Sequence, residues 1–87
     1  MAVIILSHDV NDFEVWKSHY YADAARRESL SLNELAVGNV SDNPNKVYMI
    51  WDGDPVKVDQ MLHDPELAEK MKAAGVVSAP EVVVLNT

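Results

Sequence analysis

Three runs of this sequence are apolar on consecutive residues: Val3-Ile4-Ile5-Leu6, Val47-Tyr48-Met49-Ile50-Trp51 and Val82-Val83-Val84-Leu85. Each is too short for a helix and rich in strand-favouring residues. Alternate residues of a strand point to opposite sides, so such a run is apolar on both faces and needs cover on both. In a chain of 87 residues that requirement is severe. One domain of this size buries only roughly two-thirds of the surface its unfolded chain exposes.

The segments between these runs carry helix signals. Asn11 is read as a cap, with Glu14 three residues on completing a capping box and Val10 and Val15 stapling around it. Phe13, Trp16, Tyr20 and Ala24 then form one stripe of a 3.6-residue period, in a helix fading near Glu28 or Ser29. Leu32 to Val40 reads as a strand. Ser41-Asp42-Asn43-Pro44-Asn45 reads as a turn that closes it into a hairpin with 47–51. Asp54-Pro55 opens a second helical region. Asp64-Pro65 repeats the device, and Pro65 disfavours helical geometry at Asp64, which predicts two pieces, about 55–62 and 65–74. Gly75 is placed as the residue just past the helix end, with Lys70 and Lys72 in the last turn. A strand over about 81–86 closes a single domain spanning 1–87.

The order β-α-β-β-α-β, with right-handed crossovers, predicts a ferredoxin-like α+β sandwich: a four-stranded antiparallel sheet with both helical layers on one face. The opposite face is then apolar and bare. An open apolar face marks an interface. A second copy packed sheet against sheet is the simplest cover, since most soluble oligomers are symmetric. The expected partner is therefore another copy of this chain, with the closing strand giving one face to the helices and one to that copy.

Composition narrows the function classes. The chain has no cysteine, which excludes disulfides, thiol chemistry and cysteine-held metals and fits a cytoplasmic protein. Its net charge of −7, from 14 acids and 7 bases, would repel phosphate backbones, so nucleic acid is not expected as a partner. No apolar run approaches the length of about 20 residues that spans a membrane. The start lacks a basic segment and has too short an apolar run for a signal peptide. No nucleophile elbow, phosphate loop, dinucleotide fingerprint or zinc signature is present. Asp52-Gly53-Asp54 lacks the further ligands of a calcium loop.

The stretches "VNDFEVWKSHY", "SDNPNKVYMIW", "DPELAEKMKAAGVV" and "APEVVVL" together resemble the dimeric α+β-barrel superfamily, which includes the antibiotic-biosynthesis monooxygenase-like proteins. They cover nearly the whole chain, in order. The resemblance implies a homodimeric barrel and a pocket between the open face of the sheet and the first helix or nearby loops. Its members include cofactor-free oxygenases, polyketide cyclases, haem-degrading enzymes, lactone isomerases and proteins with no known activity. One departure is Ser29-Leu30, where related chains often have glycine; serine makes a left-handed helix exit less easy.

Few polar groups are candidates for chemistry. His8 ends the first strand; if even-numbered residues face inward it joins Ile4 and Leu6 at a cavity and serves as acid or base. The plainer reading is an exposed strand-end histidine. Tyr20 lies on the buried stripe with a hydroxyl that needs a partner. Trp16, Tyr48 and Trp51 are core aromatics that could also clamp a flat ligand, though alternation sets Tyr48 opposite Trp51. His63, at the break before Asp64-Pro65, is a loop candidate for ligand contact. His19 and Asp23 form an i, i+4 pair, read as electrostatic because no third metal ligand suggests itself. Arg26 and Arg27 are read as balancing the helix dipole.

The resemblance implies first a cofactor-independent monooxygenase or cyclase acting on a small aromatic or polyketide-like molecule, and His8 and Tyr20 are the residues that would move protons in it. No metal or cofactor is expected in that reading. The second reading is a non-catalytic dimer that binds a small apolar ligand or a partner. The third is a haem-binding or haem-degrading protein.

Overall fold

The computed structural model describes residues 2–87. The elements follow in the order β1 (Ala2–Asp9), α1 (Phe13–Ala22), α2 (Ala24–Ser29), β2 (Asn33–Val40), β3 (Asn43–Gly53), α3 (Pro55–Leu62), α4 (Pro65–Ala73) and β4 (Glu81–Asn86). The strands form one antiparallel sheet in the order β2-β3-β1-β4. This is the ferredoxin-like arrangement, with the helices packed on one side. None of the described helices is long and apolar enough to cross a membrane.

The register decides what each face carries. Ile4 pairs with Trp51 and Val84, Leu6 with Met49 and Val82, and His8 with Val47. Ile4, Leu6, Val47, Met49 and Trp51 form the core with Trp16 and Tyr20 of α1, Val58 and Met61 of α3, and Ala74. The opposite face presents Val3, Ile5, Tyr48, Ile50, Val83 and Leu85, which alternate with the core residues along the same strands. Tyr48, Val83 and Leu85 are exposed there.

The closing strand departs from expectation. Val82 and Val84 lie on the helix side of the sheet, yet they are exposed, as are Val83 and Leu85 on the other side. The helices pack over β1 and β3, and the edge strand lies outside their cover.

Capping explains the helix boundaries, with two corrections. The α1 cap is Asp12, not Asn11: its carboxylate accepts from Val15 N at 3.2 Å. The Asn11 backbone instead donates to Gly75 O at 2.9 Å, tying the end of β1 to the end of α4. Val15 is exposed and staples nothing. The first helical region also breaks at Asp23, where the chain turns from α1 into α2. Asp54 and Asp64 cap α3 and α4 as expected, each accepting at 2.9 Å from the amide two residues on, with proline at the first helical position. The strand β3 begins at Asn43, so most of the expected turn belongs to the ladder.

Two helices end in the same Schellman geometry with different residues. After α4, Gly75 has φ 84°, Gly75 N donates to Lys72 O, and Val76 N donates to Met71 O. After α2, Ser31 holds φ 56°, Ser31 N donates to Glu28 O, and Leu32 N donates to Arg27 O. The strained residue is thus Ser31 rather than Ser29. A side chain in the left-handed region costs about 1–2 kcal/mol, which glycine avoids. Ser31→Gly should raise stability by about 1 kcal/mol, measured by urea unfolding; an unchanged or lower midpoint would contradict this account.

Candidate active site

A cavity of about 220 Å³ lies between the helix-covered face of the sheet and the helices. It is not on the open face, where the resemblance places a pocket. The open face has no helix of this chain to form a second wall, whereas the helix side has four. Leu6, His8 and Met49 form part of its floor, and Trp16 and Tyr20 part of the opposing wall.

The α1 stripe supplies a run of flat groups. Phe13 and Trp16 stack with centroids 6.0 Å apart, and Trp16 and Tyr20 stack at 5.0 Å. The guanidinium of Arg27 continues the run, 3.6 Å from the Tyr20 ring centroid. His8 meets Trp16 edge-on at 5.7 Å.

His8 is 4% exposed, and neither ring nitrogen has a hydrogen-bond partner. Burial pushes its pKa down to about 4, only partly offset by Asp9. The ring is therefore neutral at pH 7. Buried polar atoms are normally paired. Both nitrogens are also closed to solvent, so the ring borders the cavity but a ligand meets a nitrogen only once the ring or its neighbours shift.

Tyr20 is fully engaged. Its hydroxyl accepts from Trp51 Nε1 at 2.9 Å and donates to Glu34 Oε1 at 3.0 Å. Burial is the main reason that its pKa is pushed up to about 12, with the Glu34 carboxylate adding to the rise and Trp51 and Arg27 opposing it. Glu34 pairs with Trp51 in the sheet, so its carboxylate reaches Tyr20 from the helix side of β2.

The helix breaks are joined by ions. Arg26 pairs with Asp23 at 2.9 Å, Asp64 at 2.7 Å and Glu66 at 3.1 Å, and Lys70 pairs with Asp23 at 2.9 Å. Burial alone would raise the Asp23 pKa, but hydrogen bonds from Lys70 and Arg26 outweigh it and hold the carboxyl below its ordinary value. This clasp links the α1–α2 break to the start of α4, and Asp23, Arg26 and Lys70 line the cavity.

The structure thus gathers His8, Trp16, Tyr20 and Trp51 around one space. Tyr48 lies on the opposite face of the sheet, because strand alternation sets it against Met49 and Trp51. His63 caps the end of α3 in solvent, its Nδ1 2.7 Å from Asp59 O. Neither borders the cavity. His19 does, but the Asp23 carboxylate serves Arg26 and Lys70 instead of pairing with it. Arg27 and Glu34 were missed from sequence. Arg27 had a visible signal, since it lies seven residues past Tyr20 and so on the same helical stripe. Glu34 had none.

No protein-family model matches the sequence, and no curated protein matches it significantly. Solved structures do match in fold. An uncharacterised NIPSNAP domain protein from Burkholderia xenovorans superposes with TM-score 0.72 at 12% identity, over 100% of this chain and 94% of that one. A candidate antibiotic biosynthesis monooxygenase from Nitrosomonas europaea gives TM-score 0.70 at 11% identity, over 100% and 98%. The cofactor-independent oxygenase SnoaB from Streptomyces nogalater gives 0.67 at 14% identity, over 99% and 91%. The chain has the fold of the antibiotic-biosynthesis monooxygenase-like proteins.

Proposed function

We propose that this chain is a cofactor-independent oxygenase or cyclase for a one- or two-ring aromatic molecule, working as a homodimer. The observation that carries the reading is His8: a neutral, buried imidazole, unpartnered at both nitrogens, in the wall of a cavity of about 220 Å³. A cavity of about 150 Å³ holds benzene, so this one suits one or two rings rather than a large polyketide. SnoaB, similar in fold, is described as a cofactor-independent oxygenase, which supports the class.

Once the ring shifts to present a nitrogen to the seated substrate, His8 accepts a proton from an acidic carbon or hydroxyl; burial makes it a weak base at rest, and the anion formed beside it favours the charged ring. The resulting anion attacks an internal carbonyl in a cyclase. In an oxygenase it transfers electrons to dioxygen: an acidic CH₂ becomes a carbonyl, one oxygen atom enters the product, and the other leaves as water. The Trp16–Tyr20 stack gives a flat ring its resting face. A second copy covers the apolar open face, outside the cavity.

The test offers one- and two-ring phenols and cyclic 1,3-diketones. It follows deuterium exchange at the acidic carbon and oxygen uptake, for the native chain and for His8→Ala. Exchange or uptake should be lost at least 100-fold in His8→Ala. Ligand binding with no exchange above the buffer rate would favour the non-catalytic reading.

A further inference from the structure

Three of the chain's seven basic residues, Arg26, Arg27 and Lys70, line the cavity of a protein whose net charge is −7. Two of them are neutralised: Arg26 faces three carboxylates and Lys70 faces Asp23. Arg27 is different. It is 9% exposed, and among the described residues no carboxylate forms an ion pair with it. Arginine is mostly exposed in folded proteins, and one this far buried usually has an anionic partner.

What Arg27 does have is partial compensation. Nη2 donates to Tyr20 O at 2.8 Å, and one face of the guanidinium lies over the Tyr20 ring. These contacts engage one of five N–H groups and one face. Its other nitrogens are not sealed off by protein. The cavity wall therefore carries one guanidinium with no carboxylate of its own at the Tyr20 end of the stack, and the unpartnered His8 at the Trp16 end.

We propose that Arg27 anchors the ionised carboxylate of the ligand, so that the cavity selects one- and two-ring aromatic carboxylic acids. This rests on the reading of the cavity as a substrate site and adds the class of substrate. One guanidinium without an ion pair offers a place for one carboxylate, and the three carboxylates of the neighbouring clasp disfavour a doubly charged phosphate. The planar fork of guanidinium matches a carboxylate in shape. The walls beside it are apolar and aromatic, which suits the ring. Anchoring at Arg27 leaves the rest of the molecule directed along the stack toward His8.

Calorimetric titration at pH 7 with benzoate, 1-naphthoate and the corresponding neutral amides tests this. The native chain should bind an acid at least 30-fold more tightly than its amide. Arg27→Met should reduce that preference to within threefold while still binding the amide, which shows that the cavity persists. Arg27→Lys should retain part of the preference. Equal binding of acid and amide by the native chain, no binding of any of the four at millimolar concentration, or an undiminished preference in Arg27→Met would overturn the proposal. An Arg27-dependent preference without deuterium exchange on any substrate would sink the catalytic reading and leave this one standing. Exchange on neutral phenols with no preference for acids would do the reverse.

Discussion

Stability toward unfolding should fall by about 3 kcal/mol as pH drops from 6.5 to 4, and His8→Phe should remove most of that fall. In the unfolded chain His8 takes up a proton near its ordinary value of 6.5, whereas in the folded chain it resists protonation until about 4. Between those values the unfolded state binds the extra proton, so acid favours unfolding. The contribution is fully present above 6.5 and is lost as pH falls toward 4. Phenylalanine keeps a ring against Trp16 without the titrating group. The Asp23 carboxyl is held below its ordinary value, so the loss of its ion pairs belongs to more acid conditions and leaves the window clear. Urea unfolding of both proteins at pH 7 and pH 4.5 makes the comparison. Equal losses in the two would mean that His8 is not held neutral by burial.

A comparable effect is expected at the open sheet face. Val83→Asp should weaken self-association at least 100-fold while leaving the single chain folded. Val83 is 53% exposed in one chain and sits across from Ile5 on the bare face, so its carboxylate stays in water until a second copy arrives. Burying it without a partner then costs about 3–5 kcal/mol. Val84→Asp is the control. It is 40% exposed on the helix side of the same strand, away from that face, and should leave association nearly unchanged. Sedimentation at micromolar concentration distinguishes the cases. If the native chain sediments as one 9.7 kDa unit, the open face is not covered by a second copy.

The architecture was legible where the signal is local. Pro65 and the Asp64 cap placed the break between α3 and α4, Gly75 placed the end of α4, and the period of Phe13, Trp16 and Tyr20 identified the buried stripe. Features set by distant partners were not legible. The choice of Asp12 over Asn11 as cap goes with a backbone bond from Asn11 to Gly75, far along the chain. The clasp joins Lys70 to Asp23 across 47 positions, and Trp51 reaches Tyr20 across 31. Ser31 hid its left-handed conformation because serine does not announce it as glycine does. Arg27 lay on the right stripe but was assigned to the helix dipole, since a charge at a helix end has an ordinary explanation. The exposure of β4 depends on how far the helix layer reaches across the sheet, which no single segment encodes.

The stacked wall also makes the cavity visible from outside. The chain has two tryptophans, and both Trp16 and Trp51 border this one space. One has an imidazole at its edge, and the other donates its indole N–H to Tyr20. The tryptophan emission of the protein, excited selectively over that of its tyrosines, is therefore the emission of this pocket. Occupancy, exclusion of water and the charging of the imidazole each register as a change in colour or brightness, without a label and without altering a residue.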